Sequence, residues 1–193
     1  MENGPQISVL AGPNGAGKST AATVLLPQDL PFLNADEIAK TLPGYPSTAV
    51  DIQAGRLLIE RLAELEHQRA SFAIETTLAS RTLAPRIARL RRSEYRFRLI
   101  FVFVPDVELS IQRVAGRVRQ GGHHIPEDTI RRRYQAGISN FLGLYMAMAD
   151  EWSVHDTTEM GEPKLIANGI MTSVDRIEMP DSWKLLMEIA HHA

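Results

Sequence analysis

Three features of this 193-residue sequence predict an α/β fold of three layers, with helices on both faces of a mostly parallel central sheet. The first is a glycine-rich turn, Gly12 to Ser19, set between an apolar run and a helix-forming segment. The second is Leu99 to Val104, an unbroken apolar run of the kind found where both faces of a parallel sheet are covered. The third is the alternation of short apolar runs with segments of helical period, the pattern of parallel strands joined by crossover helices.

Taken in order, Gln6 to Ala11 reads as the first strand and Lys18 to Leu26 as the helix after the glycine loop, stopped by Pro27. Phe32 to Asn34 is a short second strand, followed by a brief helix from Ala35 to Leu42 that Pro43-Gly44 ends. Thr48 is expected to cap a long helix, because Val50, Ala54, Leu57, Leu58, Leu62 and Leu65 follow the 3.6-residue period, with Asp51 completing a capping box. Ser71 to Ile74 is a third strand, Arg81 to Arg92 a helix, and Leu99 to Val104 the fourth strand. A helix then runs from Pro105-Asp106 towards Gly121-Gly122, and Pro126-Glu127-Asp128 supplies the chemistry of another helix start. Trp152 to His155 and Leu165 to Ile170 complete the sheet, and Asp181 to Ala190 closes the chain as a helix.

The bulk numbers fit one domain over residues 1–193, with 44% hydrophobic residues to build its core. The net charge of −2 conceals an uneven distribution: all basic residues but Lys18, Lys40, Lys164 and Lys184 are arginines, and most lie in two clusters, Arg81 to Arg98 and Arg113 to Arg133. Arginine is favoured where a planar fork of donors holds phosphate. The first cluster has few interleaved aromatics and reads as a solvated helix face, so a nucleic-acid surface is not expected. The chain has no cysteine, which excludes a disulfide scaffold and a thiolate metal site. No apolar run approaches the ~20 residues of a membrane span, and Met1 to Gly4 does not resemble a signal peptide, so a soluble cytoplasmic protein is expected.

Gly12, Gly15, Gly17, Lys18 and Ser19 satisfy G-x-x-x-x-G-K-[ST] in the strand-to-helix setting that a phosphate loop requires. The segment Gly12, Pro13, Asn14, Gly15, Ala16, Gly17, Lys18, Ser19 and Thr20 is therefore expected to bind ATP. Its backbone N–H groups would wrap the phosphates, Lys18 would neutralise the β and γ oxygens, and the Ser19 hydroxyl would ligate Mg²⁺. The same loop serves mechanical ATPases of the ABC type, but this chain has no LSGGQ-like signature, and its apolar strand ends in Val104-Pro105-Asp106 rather than Asp-Glu.

Asp36 follows the second strand, 18 residues beyond Lys18, where strand ends meet at the ligand crevice. There a carboxylate can accept the proton of an attacking hydroxyl, the role of a kinase base; the alternative is an N-cap of the next helix. Glu75, Thr76 and Thr77 follow the third strand in the same way and suit hydrogen bonding to a polyhydroxylated or nucleotide-like acceptor, with helix capping as the plain alternative. Arg113 and Arg117 share a helix face, and with Arg132 and Arg133 they would form a lid, about residues 113–135, closing over the transferred phosphate; Gly121 and Gly122 would be its hinge. The adjacent pair His123-His124 lacks carboxylate partners, so no histidine-bound metal is expected.

The stretches GPNGAGKST, NADEIAK, FAIETTLAS, RVAGRVRQGGHHIPEDTIRRRY and WSVHDTT together resemble the zeta-toxin-type P-loop kinase family, over roughly residues 8–168. The resemblance implies a P-loop kinase fold, ATP and Mg²⁺ as cofactors, and transfer of the γ-phosphate to a hydroxyl of UDP-N-acetylglucosamine or another nucleotide sugar. It also implies restraint by an antitoxin, here on a separate chain. By position it implies Lys18 and Ser19 at the phosphate and magnesium, Asp36 as the base, and Glu75 with Thr76 at the acceptor. The family pattern has a second arginine shortly before the proline, where this chain has His123-His124 before Pro126; Arg132 or Arg133 would then take that work. An ATP-binding switch without an acceptor and a polynucleotide kinase remain as alternative readings.

Overall fold

The computed structural model describes residues 4–122, 124–159 and 161–191. The elements in order are β1 (Gln6–Ala11), α1 (Lys18–Leu25), β2 (Phe32–Leu33), α2 (Ala35–Thr41), α3 (Thr48–His67), β3 (Phe72–Thr76), α4 (Ala84–Arg92), β4 (Arg96–Phe103) and α5 (Val107–Arg119). They continue with α6 (Glu127–Asn140), a π-helical turn Phe141–Tyr145, α7 (Met146–Met148), β5 (Glu151–Asp156), β6 (Lys164–Ile170), β7 (Ser173–Ile177) and α8 (Pro180–His191). The seven strands form one sheet in the order β2-β3-β1-β4-β5-β6-β7. β1 to β5 are parallel, and β6 and β7 join antiparallel at one edge.

Strand alternation sends side chains to two apolar layers. Ile7, Val9, Leu99, Phe101 and Phe103 pack on one face with Leu62, Ile87, Ile138 and Leu186 from α3, α4, α6 and α8. Leu10, Ile100 and Val102 pack on the other face against Ala21 and Ala22 of α1. This is the mostly parallel α/β arrangement that the apolar runs predict, with both faces of the central strands covered. Because β1 lies between β3 and β4, chain direction across the sheet reverses beside it, and the carboxyl ends of β1, β2 and β3 open onto one crevice.

Several boundaries differ from expectation. Ser47, not Thr48, caps α3, its hydroxyl accepting from Val50 N, so Asp51 falls one position beyond a capping box. The helix expected from Arg81 starts at Ala84, because Ser80 and Thr82 form a hydroxyl-bonded turn ahead of it. The arginines of the first cluster are not a merely solvated face: Arg86 and Arg89 both reach Glu66, Arg91 pairs with Asp150, and Arg81 donates to Asn140 Oδ1.

Candidate active site

The phosphate loop is shaped by close backbone packing. Gly12 has φ 145°, and a Cβ there would lie 2.3 Å from the Val102 carbonyl oxygen. Gly15 has φ 76°, and its Cβ would lie 2.4 Å from the carbonyl of Ser110 on α5. Only glycine fits at both points, so the loop folds tightly over the end of β1. Gly17 takes the N-cap position of α1 and offers no side-chain cap, which leaves the first N–H groups of the helix free for an anion.

Lys18 lies beneath the loop with 7% exposure. Its Nζ donates to Pro13 O at 2.8 Å and stands 3.6 Å from Glu75 Oε1. Burial lowers its pKa from 10.5; the charges of Glu75 and Asp36 oppose that shift and Arg117 adds to it. Ser19 Oγ donates to Glu75 Oε2 at 3.1 Å, and Asn34 Nδ2 donates to the same oxygen at 2.8 Å. Glu75 therefore caps no helix: its carboxylate faces the phosphate loop, spanning the lysine and the hydroxyl expected to meet phosphate and metal. Thr76 Oγ1 and Thr77 Oγ1 accept from the backbone N–H of Leu78 and Ala79, fixing the loop that follows β3.

Asp36 sits in the first turn of α2 but is not its cap; Asn34 is, with Oδ1 accepting from Asp36 N at 2.8 Å and from Glu37 N at 3.4 Å. This leaves the Asp36 carboxylate free to face α5, where Arg117 Nη1 lies 3.8 Å from Asp36 Oδ2. Arg113 takes a different part. Its Nη2 donates to the carbonyls of Thr157 and Thr158 at 2.9 and 2.7 Å, while Thr157 Oγ1 donates to Ala16 O at 2.6 Å. Arg113 thus ties the loop after β5 to α5, and Thr157 ties the same loop to the phosphate loop.

Gly121 and Gly122, expected as a hinge, close α5 in a Schellman motif: Gly121 has φ 87°, Gly122 N bonds Arg117 O, and Gly121 N bonds Val118 O. Of the three consecutive arginines, Arg131 is taken up by Glu108 and Glu127. Arg132 and Arg133 instead line two neighbouring cavities. One, about 400 Å³, includes Asn14, Asp36 and His124; the other, about 550 Å³, includes Thr76, Thr77 and Ser80. A third cavity of about 280 Å³ holds Ser19, Thr20, Glu75, Arg113 and Arg117 around the phosphate loop. Of the site residues inferred from the sequence, Asn14, Gly15, Gly17, Lys18, Ser19, Thr20, Asp36, Glu75, Thr76, Thr77, Arg113, Arg117, Arg132 and Arg133 line these three cavities. A cavity of about 570 Å³ between the end of α4 and the start of β4, with Arg91, Arg92 and Asp150, lies at the other end of the sheet and has no part in this chemistry.

His123 lies outside the described residues. Among the described residues no three His, Cys, Asp or Glu side chains group to hold a metal. The residues present nevertheless fit Mg²⁺ bound to a nucleotide, since that ion keeps several waters and needs only one or two protein oxygens beside the phosphates. The Ser19 hydroxyl and the Glu75 carboxylate supply such a pair.

Sequence reasoning missed Asn34 as the hub between α2 and Glu75, and Gly137, where a Cβ would come within 2.5 Å of Thr77 O, so that α6 rests directly on the loop after β3. The cap signal of Asn34 was present: an Asn before a helix with acidic residues in its first turn. Among the described residues no helix is long and apolar enough to cross a membrane.

A phosphate loop under a parallel sheet, with carboxylates at two neighbouring strand ends and arginines on the covering helices, defines a P-loop kinase-like protein. The chain belongs to the zeta toxin family, whose model matches residues 2–159. An uncharacterized protein of Haemophilus influenzae is 29% identical over 123 residues, 64% of this chain and 88% of that one. The fold is similar to the AvrRxo1-ORF1:-ORF2 complex solved with ATP, with TM-score 0.74 and 19% identity over 98% of this chain. It is also similar to the PezAT chromosomal toxin–antitoxin system of Streptococcus pneumoniae, with TM-score 0.67 and 14% identity over 99% of this chain and 88% of that one. The chain spans 64% of the length of the AvrRxo1-ORF1:-ORF2 chain it matches. At these identities the likeness is one of fold, and together with family membership it supports a P-loop kinase-type function.

Proposed function

We propose that this chain is an ATP·Mg²⁺-dependent kinase that transfers the γ-phosphate to a hydroxyl of a small substrate, with UDP-N-acetylglucosamine or another nucleotide sugar as the leading acceptor. The observation that carries the reading is the Asp36–Arg117 pair, 3.8 Å apart at the junction between the phosphate loop and the cavity lined by Arg132 and Arg133. A carboxylate there meets an acceptor hydroxyl on one side, and an arginine meets the transferred phosphate on the other. An ABC-type ATPase would carry a carboxylate that polarises water at the end of the apolar strand β4; that strand leads into Pro105 and Asp106, and Asp106 caps α5 by accepting from Glu108 N.

In the proposed reaction Asp36 accepts the hydroxyl proton as the acceptor oxygen bonds to the γ-phosphorus. The bond from that phosphorus to the β–γ bridging oxygen breaks, and ADP leaves. The loop N–H groups, Lys18 and Arg117 hold the charge spread over the phosphoryl oxygens. Ser19 and Glu75 would hold Mg²⁺, which supplies charge neutralisation on the β and γ oxygens. Arg113 ties the loop after β5 to α5, and Arg132 and Arg133 hold anionic groups of ATP or of the acceptor. Residues 113–135 act as the lid of a single domain.

The fold likeness to the PezAT toxin–antitoxin system and the family itself support an antitoxin on a separate chain as a partner, and ATP dependence supports the cytoplasm as the site of action. Transfer of label from γ-labelled ATP to an acceptor, abolished in Asp36→Asn, tests the proposal; release of free phosphate alone would favour an ATP switch.

A further inference from the structure

Asn34, 6% exposed at the end of β2, uses both ends of one amide. Oδ1 caps α2 and fixes the turn that carries Asp36. Nδ2 donates at 2.8 Å to the Glu75 oxygen that also accepts from Ser19 Oγ. The other charged groups around this point are Lys18 from α1, Asp36 from α2 and Arg117 from α5.

We propose that Asn34 is a positioning residue for phosphoryl transfer, setting the separation between the Asp36 carboxylate and the Ser19–Glu75 pair. The inference rests on the kinase reading above and adds the element that brings its two halves into register. An amide suits this place for a chemical reason: it is both acceptor and donor. An aspartate would keep the cap while turning a second carboxylate towards Glu75. A serine would keep the cap but is too short to reach Glu75, and an alanine would lose the cap and the bond to Glu75. The hub is also compact. Two hydrogen bonds through one buried side chain separate the acceptor side from the phosphate side, so a small shift of the amide moves the base relative to the phosphorus, and misplacement by about 1 Å costs about 10²-fold in rate.

The test compares wild type, Asn34→Asp and Asn34→Ala in γ-phosphate transfer from ATP·Mg²⁺ at pH 8. UDP-N-acetylglucosamine is the first acceptor, followed by other nucleotide sugars, nucleosides and short oligonucleotides. Melting temperature is followed in parallel. Asn34→Asp should fold as wild type does, because the cap and the side-chain volume are kept, yet lose about 10²-fold in kcat at pH 8 with little change in the KM for ATP. A purely structural role would make loss of rate follow loss of melting temperature and would leave Asn34→Asp nearly as active as wild type. Wild-type rates in Asn34→Asp, or a loss in kcat matched by an equal rise in the KM for ATP, overturn the positioning role while leaving the kinase standing. Failure of wild type itself to phosphorylate any acceptor overturns both.

Discussion

Arg117 Nη1 lies 3.8 Å from Asp36 Oδ2, so the α5 arginine and the strand-end carboxylate pair with each other. Both side chains are well exposed, so the pair adds little to stability and parts easily. In the kinase reading the γ-phosphate draws Arg117 away and leaves Asp36 to the acceptor. Asp36→Asn should therefore lose about 10²–10⁴-fold in kcat with ATP binding intact, as expected for removal of a general base. Arg117→Ala should lower kcat by about 10²–10³-fold, more than it raises the Kd for ATP. Steady-state kinetics alongside calorimetric ATP titration would check both, and equal losses in kcat and Kd would mark Arg117 as a ground-state phosphate contact.

The stem of Arg117 packs closely against Gly122. A Cβ at Gly122 would lie 2.7 Å from Arg117 Cγ and 2.9 Å from the Arg117 carbonyl oxygen. Gly122→Ala should therefore reproduce the kinetic defect of Arg117→Ala in part, lowering kcat while leaving the KM for ATP near wild type. Gly55→Ala, on α3 with nothing within 4 Å of the added methyl, should leave kinetics unchanged and raise stability by about 0.5–1 kcal/mol. Kinetics and chemical unfolding of the two variants separate packing around Arg117 from helix propensity.

How much of this was legible in the sequence depended on whether the signal was local. β1 and β4 were legible because both faces of each are buried and the apolar run is unbroken. β7 was not: every residue from Ser173 to Ile177 is exposed, so no alternation marks the strand, and its partner β6 had to be in place first. The phosphate loop could be read because its spacing encodes its own backbone path. The arginines of α4 could not, because their partners Glu66 and Asp150 lie on distant segments. Asp36 was recognised as a candidate base with capping as its alternative, and the structure gives the cap to Asn34, two residues earlier.

Glu75 links the Ser19 hydroxyl, the proposed Mg²⁺ ligand, to Lys18. Glu75→Gln keeps its size and removes its charge, so the Mg²⁺ concentration for half-maximal transfer should rise, with a smaller effect on rate at saturating metal. Magnesium titrations of initial rate check this, and an unchanged midpoint would remove Glu75 from the metal site.

Away from the site, His155 on β5 reports on stability. Burial, reinforced by the charge of Arg98, lowers its pKa from 6.5 to about 4. The unfolded chain therefore binds a proton that the folded chain refuses. The stabilising contribution is full above pH 6.5 and is lost as pH falls from 6.5 towards 4. His155→Gln should flatten the melting temperature against pH in that interval, leaving only the slope due to other groups; a slope equal to that of wild type would contradict the assignment.

The central claim is phosphoryl transfer to a hydroxyl, and the most direct measurement is γ-labelled ATP with Mg²⁺ against nucleotide sugars, nucleosides and short oligonucleotides, with Asp36→Asn beside wild type. Label on one acceptor, absent in the variant, is the predicted result and identifies the substrate. Free phosphate as the only labelled product, equal in wild type and variant, would contradict it.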